Sequence, residues 1–377
     1  MKGKSILILF TVLFLCACGR GTGTGKDVQG DTLQLKYAEH LTIIRHQGFT
    51  EVLLADPWNT GKTLHKYLLV PSESELPRQL PQGSVIRTPI RKAVIATSVH
   101  CGLVASMGCQ KAIAGVCDQQ YIHLPWVQEG CKNGTVIDCG SGLAPSVEKI
   151  IDVDADALFL SPFQNSGGYG PVVELGVPIV ETADYMETSA LGRAEWMKFY
   201  GMLFGVEEKA DSIFQEVESD YLSLKEKAAT ASRQKPRLSI VMDKQTGSVW
   251  YVPGGKSTVG KMITDAQADY AWSADDHSGS LALPFESVLE KAGNASFWFF
   301  RYNAPQPITY ATLLSEHHGY DHFDAFRNKK AYGCNTATST FYEDTPFHPN
   351  LLLRDFVTVL YPELSLGEPH YFIKLPQ

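Results

Sequence analysis

A histidine cluster is the strongest metal-site candidate in this chain. His318 and His322 would share one face of a helix at their i, i+4 spacing, with His317 beside them. Imidazole is a common metal ligand, so the spacing could serve a metal ion. Gly319 interrupts the cluster, however, and its loop-like context favours a solvated surface turn. We therefore expect no metal site here.

Other segments resemble catalytic motifs but are incomplete. Residues 61–63 and 255–257 resemble the end of a phosphate-binding loop, yet both lack its first glycine. Residues 168–170 lack the third glycine of a dinucleotide fingerprint, and no G-x-S-x-G nucleophile elbow is present. The sequence therefore favours a protein that is not an enzyme and needs no cofactor.

Aromatic side chains gather where predicted strands end. Ligands of open α/β sheets bind beyond the carboxyl ends of the strands, and aromatic rings there suit a large flat or greasy ligand. Arg301 could pair with an anionic group on such a ligand. Any one of these side chains could instead pack in the core. The candidate ligand-binding residues from this pattern are Tyr121, Phe163, Tyr169, Trp250, Tyr251, Arg301 and Tyr342.

The N-terminus predicts export and lipidation. Lys2 and Lys4 precede an apolar stretch at 6–15, which is typical of a signal peptide and too short to span a bilayer. The sequence Leu-Cys-Ala-Cys at 15–18 resembles a bacterial lipobox, which implies a diacylglyceryl group on Cys18 and cleavage before it. An ordinary signal peptide with a chance cysteine is the alternative. We expect a periplasmic protein that is lipid-anchored to a bacterial membrane through a Gly-rich tether.

Composition excludes several classes of function. The 377 residues are 44% hydrophobic and carry a net charge of −8, so the chain is globular and a poor nucleic-acid binder. Disulfides are permitted outside the cytoplasm, and one or two local bridges are expected, with the pairing left open. A zinc site is disfavoured because no C-x-x-C pair is present. The six cysteines beyond the signal region are Cys101, Cys109, Cys117, Cys131, Cys139 and Cys334.

The order of predicted elements indicates an α/β protein with two Rossmann-like lobes. Short strands alternate with helices from residue 92, which predicts mostly parallel sheets covered on both faces. A helix from Glu207 to Thr230, with apolar residues three and four apart, is long enough to join two lobes. The expected divisions are a signal peptide at 1–17, an anchor and tether at 18–31, an antiparallel β-rich extension at 32–86, a first lobe at 87–188, a helical region at 189–230 and a second lobe at 231–377.

An internal repeat supports the two-lobe interpretation. Residues 148–159 and 286–297 share a pattern that begins with glutamate, forms a short helix and leads into an apolar strand. Chance similarity between two ordinary helix–strand units is the alternative. Glu148 and Glu286 begin the two units, where a carboxylate also suits the helix dipole.

The segment from Arg87 to Leu375 resembles the ABC-transporter substrate-binding proteins for iron siderophores, heme and cobalamin. The β-rich extension and the cysteine count depart from that family. The residues that carry the resemblance are 93–100 (AVIATSVH), 114–116, 144–150 with 156–158, 175–180, 201–210, 250–255, and 346–364, which ends in Tyr-Pro-Glu-Leu.

This resemblance implies two lobes joined by a rigid helix, with a small-molecule ligand captured between them. The ligand would be an iron chelate, heme or cobalamin, although the class includes receptors for molybdate and bare metals. Ser98 and His100, in the loop after the first strand, join the ligand-binding candidates. Glu148 and Glu286 would dock on an ABC-transporter permease, and the protein would act as a monomer. An exported α/β enzyme or redox protein, a direct metal-ion receptor and an adhesion lipoprotein remain alternatives.

Overall fold

Two parallel-sheet lobes, an N-terminal sheet and a long helix form the computed structural model. The structure describes residues 30–164, 168–233 and 235–376. Cys18, the predicted signal peptide and most of the tether lie outside these residues. None of the helices within the described ranges is long and apolar enough to cross a membrane.

The N-terminal extension is a five-stranded sheet in sequential order. Its second, third and fourth strands form the predicted antiparallel meander, and a short first strand that was not predicted pairs antiparallel with the second. The fifth strand pairs parallel to the fourth and crosses the boundary predicted at residue 86. Its central residue, Ile86, is buried in the same core as the other strands. The strands are β1 (Asp31–Leu33), β2 (Leu41–His46), β3 (Phe49–Ala55), β4 (Thr63–Pro71) and β5 (Ser84–Thr88).

The first lobe has a five-stranded sheet in the order β12-β11-β6-β7-β8, and all of its strand pairs are parallel. A two-stranded hairpin, β9–β10, follows β8. Its strands are β6 (Ala93–Ile95), β7 (Ile113–Val116), β8 (Ile137–Asp138), β9 (Gly140–Ser141), β10 (Ala144–Pro145), β11 (Ala157–Leu160) and β12 (Ile179–Glu181), and its helices are α1 (Ser98–Ser106), α2 (Pro125–Asn133) and α3 (Val147–Val153).

Three helices connect the lobes: α4 (Ala190–Glu195), α5 (Met197–Phe204) and α6 (Glu207–Ser232). Gly205 ends α5 in the left-handed conformation, as its position predicts. The prediction for α6 is confirmed to within two residues. At ~1.5 Å per residue the helix is ~39 Å long. Its buried stripe is the predicted one: Ala210, Phe214, Val217, Tyr221, Leu224 and Ala228.

The second lobe has a five-stranded sheet in the order β16-β13-β18-β19-β20, parallel except at the edge strand β20. A three-stranded antiparallel sheet, β14-β15-β17, lies beside it. The strands are β13 (Ser239–Met242), β14 (Gln245–Thr246), β15 (Val249–Pro253), β16 (Asp269–Tyr270), β17 (Ser280–Leu283), β18 (Phe297–Tyr302), β19 (Ala331–Asn335) and β20 (Ile373–Lys374). The helices are α7 (Thr258–Asp265), α8 (Phe285–Ala292), α9 (Tyr310–Glu316), α10 (Asp324–Arg327), α11 (Phe341–Asp344) and α12 (Pro349–Leu360).

The two repeat units occupy equivalent places in the two sheets. Helix α3 leads into β11, which pairs with the lobe's first strand, β6. Helix α8 leads into β18, which pairs with the first strand of the second lobe, β13. The resemblance between the two sequence segments therefore reflects a shared topology.

Two buried carboxylates attach the N-terminal extension to the helical region. Glu195 accepts hydrogen bonds from the backbone N–H groups of Lys36, Tyr37 and Ala38 at 2.8–3.0 Å, and from Lys198 Nζ at 3.1 Å. Glu187 similarly accepts from the backbone N–H groups of residues 39 and 40. The connection between β1 and β2 is therefore held by charge-assisted hydrogen bonds to two fully buried side chains.

Replacement of Glu195 tests this attachment. We expect Glu195→Ala to lower the free energy of unfolding by about 3 kcal/mol, because it leaves three backbone donors and Lys198 without their acceptor. Urea unfolding monitored by circular dichroism measures the loss. Glu226→Ala, at an exposed position of α6, is the control and should change stability by less than about 0.5 kcal/mol. Equal stability of the two variants would contradict the proposed role of Glu195.

Candidate ligand-binding cleft

The carboxyl edges of the two parallel sheets meet where α11 packs on α1. Helix α1 follows the first strand of the first lobe, and α11 follows β19 of the second lobe. A Cβ atom at Gly102 of α1 would lie 2.3 Å from the backbone oxygen of Glu343, so only glycine permits this approach. The backbone N–H of His123 donates to Glu343 Oε1 at 3.1 Å. These contacts form the floor between the lobes.

Two exposed tyrosines are close in sequence to the residues of this contact, one from each lobe. Tyr121 lies two residues before His123 and is 68% exposed. Tyr342 directly precedes Glu343 and is 43% exposed. The carboxylate of Glu343 is itself buried, and that burial raises its pKa. The structure therefore places aromatic surface from both lobes beside their contact.

Arg301 lies near Tyr342 and already has a carboxylate partner. Its Nε and Nη2 donate to the two oxygens of Asp243 at 2.9 and 2.6 Å. The guanidinium carbon also lies 5.9 Å from the centroid of the Phe341 ring. Burial opposes the charge of Arg301, but Asp243 outweighs this effect and raises the pKa of the guanidinium. The pair uses two of the five N–H donors, so Arg301 could still donate to a ligand.

Asp243 adopts an uncommon backbone conformation to make this pair. It follows β13 with φ of +60°, in the left-handed region that aspartate tolerates better than most residues. Its backbone N–H donates to Phe299 O at 2.7 Å, and its carbonyl accepts from Trp298 Nε1 at 2.6 Å. The sequence reasoning missed Asp243, although a carboxylate directly after a buried strand is a usable signal.

His100 is buried in a polar network, which corrects its assignment as a ligand-binding residue. Its Nε2 lies 2.8 Å from Asp184 Oδ1 and 3.1 Å from the hydroxyl of Tyr200, while Nδ1 lies 2.6 Å from Thr97 Oγ1. Arg193 Nε donates to the other oxygen of Asp184 at 2.9 Å. Because both ring nitrogens are engaged and the ring is enclosed, His100 has no surface for a ligand.

Trp250 also lies in the core, contrary to its assignment as a ligand-stacking residue. It is fully buried, and its Nε1 donates to Met242 O at 2.8 Å. Its ring packs against Phe285, Trp298 and Phe323 at centroid distances of 5.4–6.0 Å. Successive side chains of β15 point to opposite faces, so the neighbouring Tyr251 faces outward and is 49% exposed.

The other first-lobe candidates differ in exposure. Phe163 is half exposed after β11. Ser98 is partly exposed at the first turn of α1. Tyr169 is partly buried, and its hydroxyl donates to Glu181 Oε1 at 3.1 Å. Phe163 therefore retains the most aromatic surface of these three for a ligand.

In the described part of the chain, the cysteines form no disulfide, and the cysteines and histidines form no metal site. All six described cysteines are free thiols, which corrects the expectation of one or two disulfides. Cys117 and Cys139 pack as small apolar groups in the first lobe, where burial raises their pKa values to about 12 and about 11. Within the described residues, no group of three His, Cys, Asp or Glu side chains could hold a metal ion. The ring of His317 stacks on Phe285 at 3.9 Å.

The two lobes, with the carboxyl edges of their sheets in contact and a long helix between them, have the architecture that the sequence resemblance implies. A family model described as "Periplasmic binding protein" matches residues 104–338. The chain therefore belongs to the periplasmic binding protein family.

One curated relative and two solved structures are similar to this chain. An uncharacterized lipoprotein of Methanocaldococcus jannaschii is 23% identical over 364 residues, which cover 90% of this chain and 85% of that protein. The fold is similar to a periplasmic heme-binding protein from Pseudomonas aeruginosa, with a TM-score of 0.58 and 15% identity over 76% of this chain and 98% of that one. It is also similar to the molybdate-binding protein MolA of Haemophilus influenzae, with a TM-score of 0.60 and 16% identity over 75% and 89%.

The buried network predicts acid sensitivity. Burial alone would raise the pKa of Asp184, but His100 and Arg193 outweigh it and hold that pKa at about 2. Because this value lies below that of an unfolded chain, the stability from Asp184 is present above about pH 4 and is lost as the pH falls toward 2. We expect protonation of Asp184 to lower the free energy of unfolding by about 2 kcal/mol.

Asp184→Asn should remove this part of the pH dependence. Urea unfolding of the wild type and the variant between pH 2 and pH 5 gives the free energy of unfolding at each pH. The slope of that free energy against pH should be smaller in the variant. Asp152→Asn, an exposed position on α3, is the matched control and should retain the wild-type slope. Parallel curves for the wild type and Asp184→Asn would show that the network does not hold a charged aspartate.

Proposed function

We propose that the protein is the ligand-capturing component of an ABC importer. It holds an iron chelate, either a ferric siderophore or heme, or a cobalamin between its two lobes. The observation that carries this proposal is the pair of exposed tyrosines, Tyr121 and Tyr342, one from each lobe and each within two residues of the His123–Glu343 contact. Exposed aromatic surface on both lobes suits a large flat ligand. The protein has no catalytic role in this proposal.

We include further exposed side chains in the proposed site. Phe163 and Tyr251 add exposed aromatic surface, and Ser98 adds a hydroxyl. Arg301 supplies a donor for an acidic group of the ligand. Because Asp243 already balances its charge, Arg301 favours a ligand with little net charge. We leave His100 and Trp250 out of the proposed site because both are buried.

The connection between the lobes favours a small closing movement. Helix α6 buries one continuous stripe along its length. Lys261 Nζ of α7 also donates to Thr188 O of the helical region. A packed helix resists bending more than an extended strand does, so ligand capture proceeds with the lobes near their present separation.

Glu148 and Glu286 are proposed to dock on the permease. Both side chains are exposed, and each lies in the first turn of its helix. Each helix precedes a parallel strand and runs opposite to it, so its N-terminus lies at the carboxyl edge of the sheet. The hydroxyl of Ser146 donates to Glu148 at 3.0 Å. The matched positions provide one negative charge on each lobe at the same edge.

A lipid on Cys18 is proposed to anchor the protein on the periplasmic side of a bacterial membrane. The lipobox-like sequence supports this, and so do relatives that are named lipoproteins. Anchoring would keep the binding protein, as a monomer, close to its permease.

Titrations with coloured ligands test the binding function. Hemin, ferrioxamine and cyanocobalamin absorb visible light, and we expect one of them to give a saturable 1:1 spectral change. Tyr121→Ala and Tyr342→Ala should each weaken binding about three- to tenfold, because a stacked ring contributes ~0.5–1.5 kcal/mol. Neither should lower the melting temperature, since both rings are exposed.

Two controls accompany these titrations. Leu76→Ala removes an exposed side chain from the N-terminal extension and should leave affinity unchanged. Trp250→Ala should lower the melting temperature, as expected for a core residue. Wild-type affinity in both tyrosine variants would place the ligand elsewhere, and no response to any probe would refute the proposed ligand class.

Charge reversal tests the docking proposal. We expect Glu148→Lys/Glu286→Lys to block uptake in vesicles that carry the cognate permease, because like charges then oppose each other at the interface. Ligand affinity in solution should stay within about twofold, since the change lies outside the proposed cleft. Asp152→Lys/Glu290→Lys reverses exposed charges on the same two helices and is the matched control. Normal uptake by the first variant would remove the docking role.

A further inference from the structure

A second cavity lies on the second lobe at the edge opposite to the proposed cleft. Leu238 immediately precedes β13, Phe297 begins β18 and Lys330 immediately precedes β19, so these residues mark the amino edge of the sheet. The end of α12 and residues 366–369 form the other wall. The cavity, here called the base groove, has a volume of about 770 Å³. That volume lies within the range of small-molecule sites.

The floor of the base groove is apolar. Phe297 and Leu360 are buried core residues that also line the groove, and Tyr332 lies beside them. Ile373 on the edge strand β20 is 56% exposed, so a large aliphatic side chain remains open to solvent at the groove. Burial of this surface by a hydrocarbon chain would be favourable.

The rim of the base groove is positively charged, although the whole chain carries −8. Lys235, Lys330 and Lys374 line it with a single acidic residue, Glu368. Lys235 pairs with Glu363 at 2.7 Å. Among residues that the structure describes, neither of the other two lysines has a carboxylate partner within 4.0 Å. Lys330 Nζ lies 5.0 Å from the centroid of the Phe297 ring, so its ammonium group borders the apolar floor. The exposed ammonium groups of Lys330 and Lys374 therefore provide positive charge without a carboxylate partner beside an apolar surface.

We propose that the base groove binds a single-chain anionic amphiphile of the fatty-acid class. The hydrocarbon chain lies on the floor formed by Phe297, Leu360 and Ile373. The carboxylate faces Lys330 and Lys374. This site is separate from the proposed cleft and does not depend on its function. The charge pattern distinguishes the ligand from a neutral or cationic amphiphile, which would leave the lysines unpaired.

Calorimetric titration with monomeric dodecanoate tests the proposal on the mature protein. We expect 1:1 binding, with decanoate roughly fifteenfold weaker, because it lacks two methylenes and each buried methylene contributes about fourfold in affinity. Dodecyltrimethylammonium should not bind. Lys330→Gln/Lys374→Gln should weaken dodecanoate binding about fivefold and reduce its dependence on salt. Lys256→Gln/Lys291→Gln, exposed lysines on the same lobe outside the groove, should bind as the wild type does.

Absence of dodecanoate binding, equal binding of the cationic amphiphile, or wild-type affinity in the double lysine variant would each overturn the proposal. Sedimentation with phosphatidylglycerol vesicles without binding of monomeric dodecanoate would also overturn it, since the lysines would then be a membrane contact.

Discussion

The close approach of α1 and α11 at Gly102 is the constraint on which the cleft depends. The two helices belong to different lobes, and a side chain at this position would collide with the backbone of Glu343. This contact brings the carboxyl edges of both sheets to one place, and Tyr121 and Tyr342 each lie within two residues of the linked pair His123 and Glu343. Without it, the exposed rings would belong to two separate surfaces. The 26-residue helix α6, which connects the lobes, then fixes the distance between them.

Local patterns predicted the fold well. The three- and four-residue spacing in α6 predicted its boundaries and buried face, because periodicity reports directly on burial. Alternation of strands and helices predicted the parallel sheets, because parallel strands are joined by crossover connections that usually contain a helix. The fifth strand of the extension was missed, since its proline-rich surroundings resemble a linker and its pairing with β4 is a tertiary effect.

Individual site residues were predicted less well, because contacts distant in sequence decide their roles. Strand alternation requires Trp250 and Tyr251 to face opposite sides, but nothing local says which side is the core. His100 became a core residue through Asp184, a partner 84 residues away. Arg301 was expected beyond a strand, but β18 continues to Tyr302 and includes it, and its neutralising partner Asp243 was not expected.

The buried attachment of residues 36–40 determines how mechanical load enters the molecule. Force applied at the N-terminus passes through β1 to backbone groups held by Glu195 and Glu187, beside α4 and the start of α5. A salt bridge from Lys36 and a hydrogen bond from Tyr37 also link this segment to Glu218 in the middle of α6. The load therefore reaches the connection between the lobes without crossing the cleft, so thermal motion of a tethered end would move the molecule as a whole and leave the cleft undistorted.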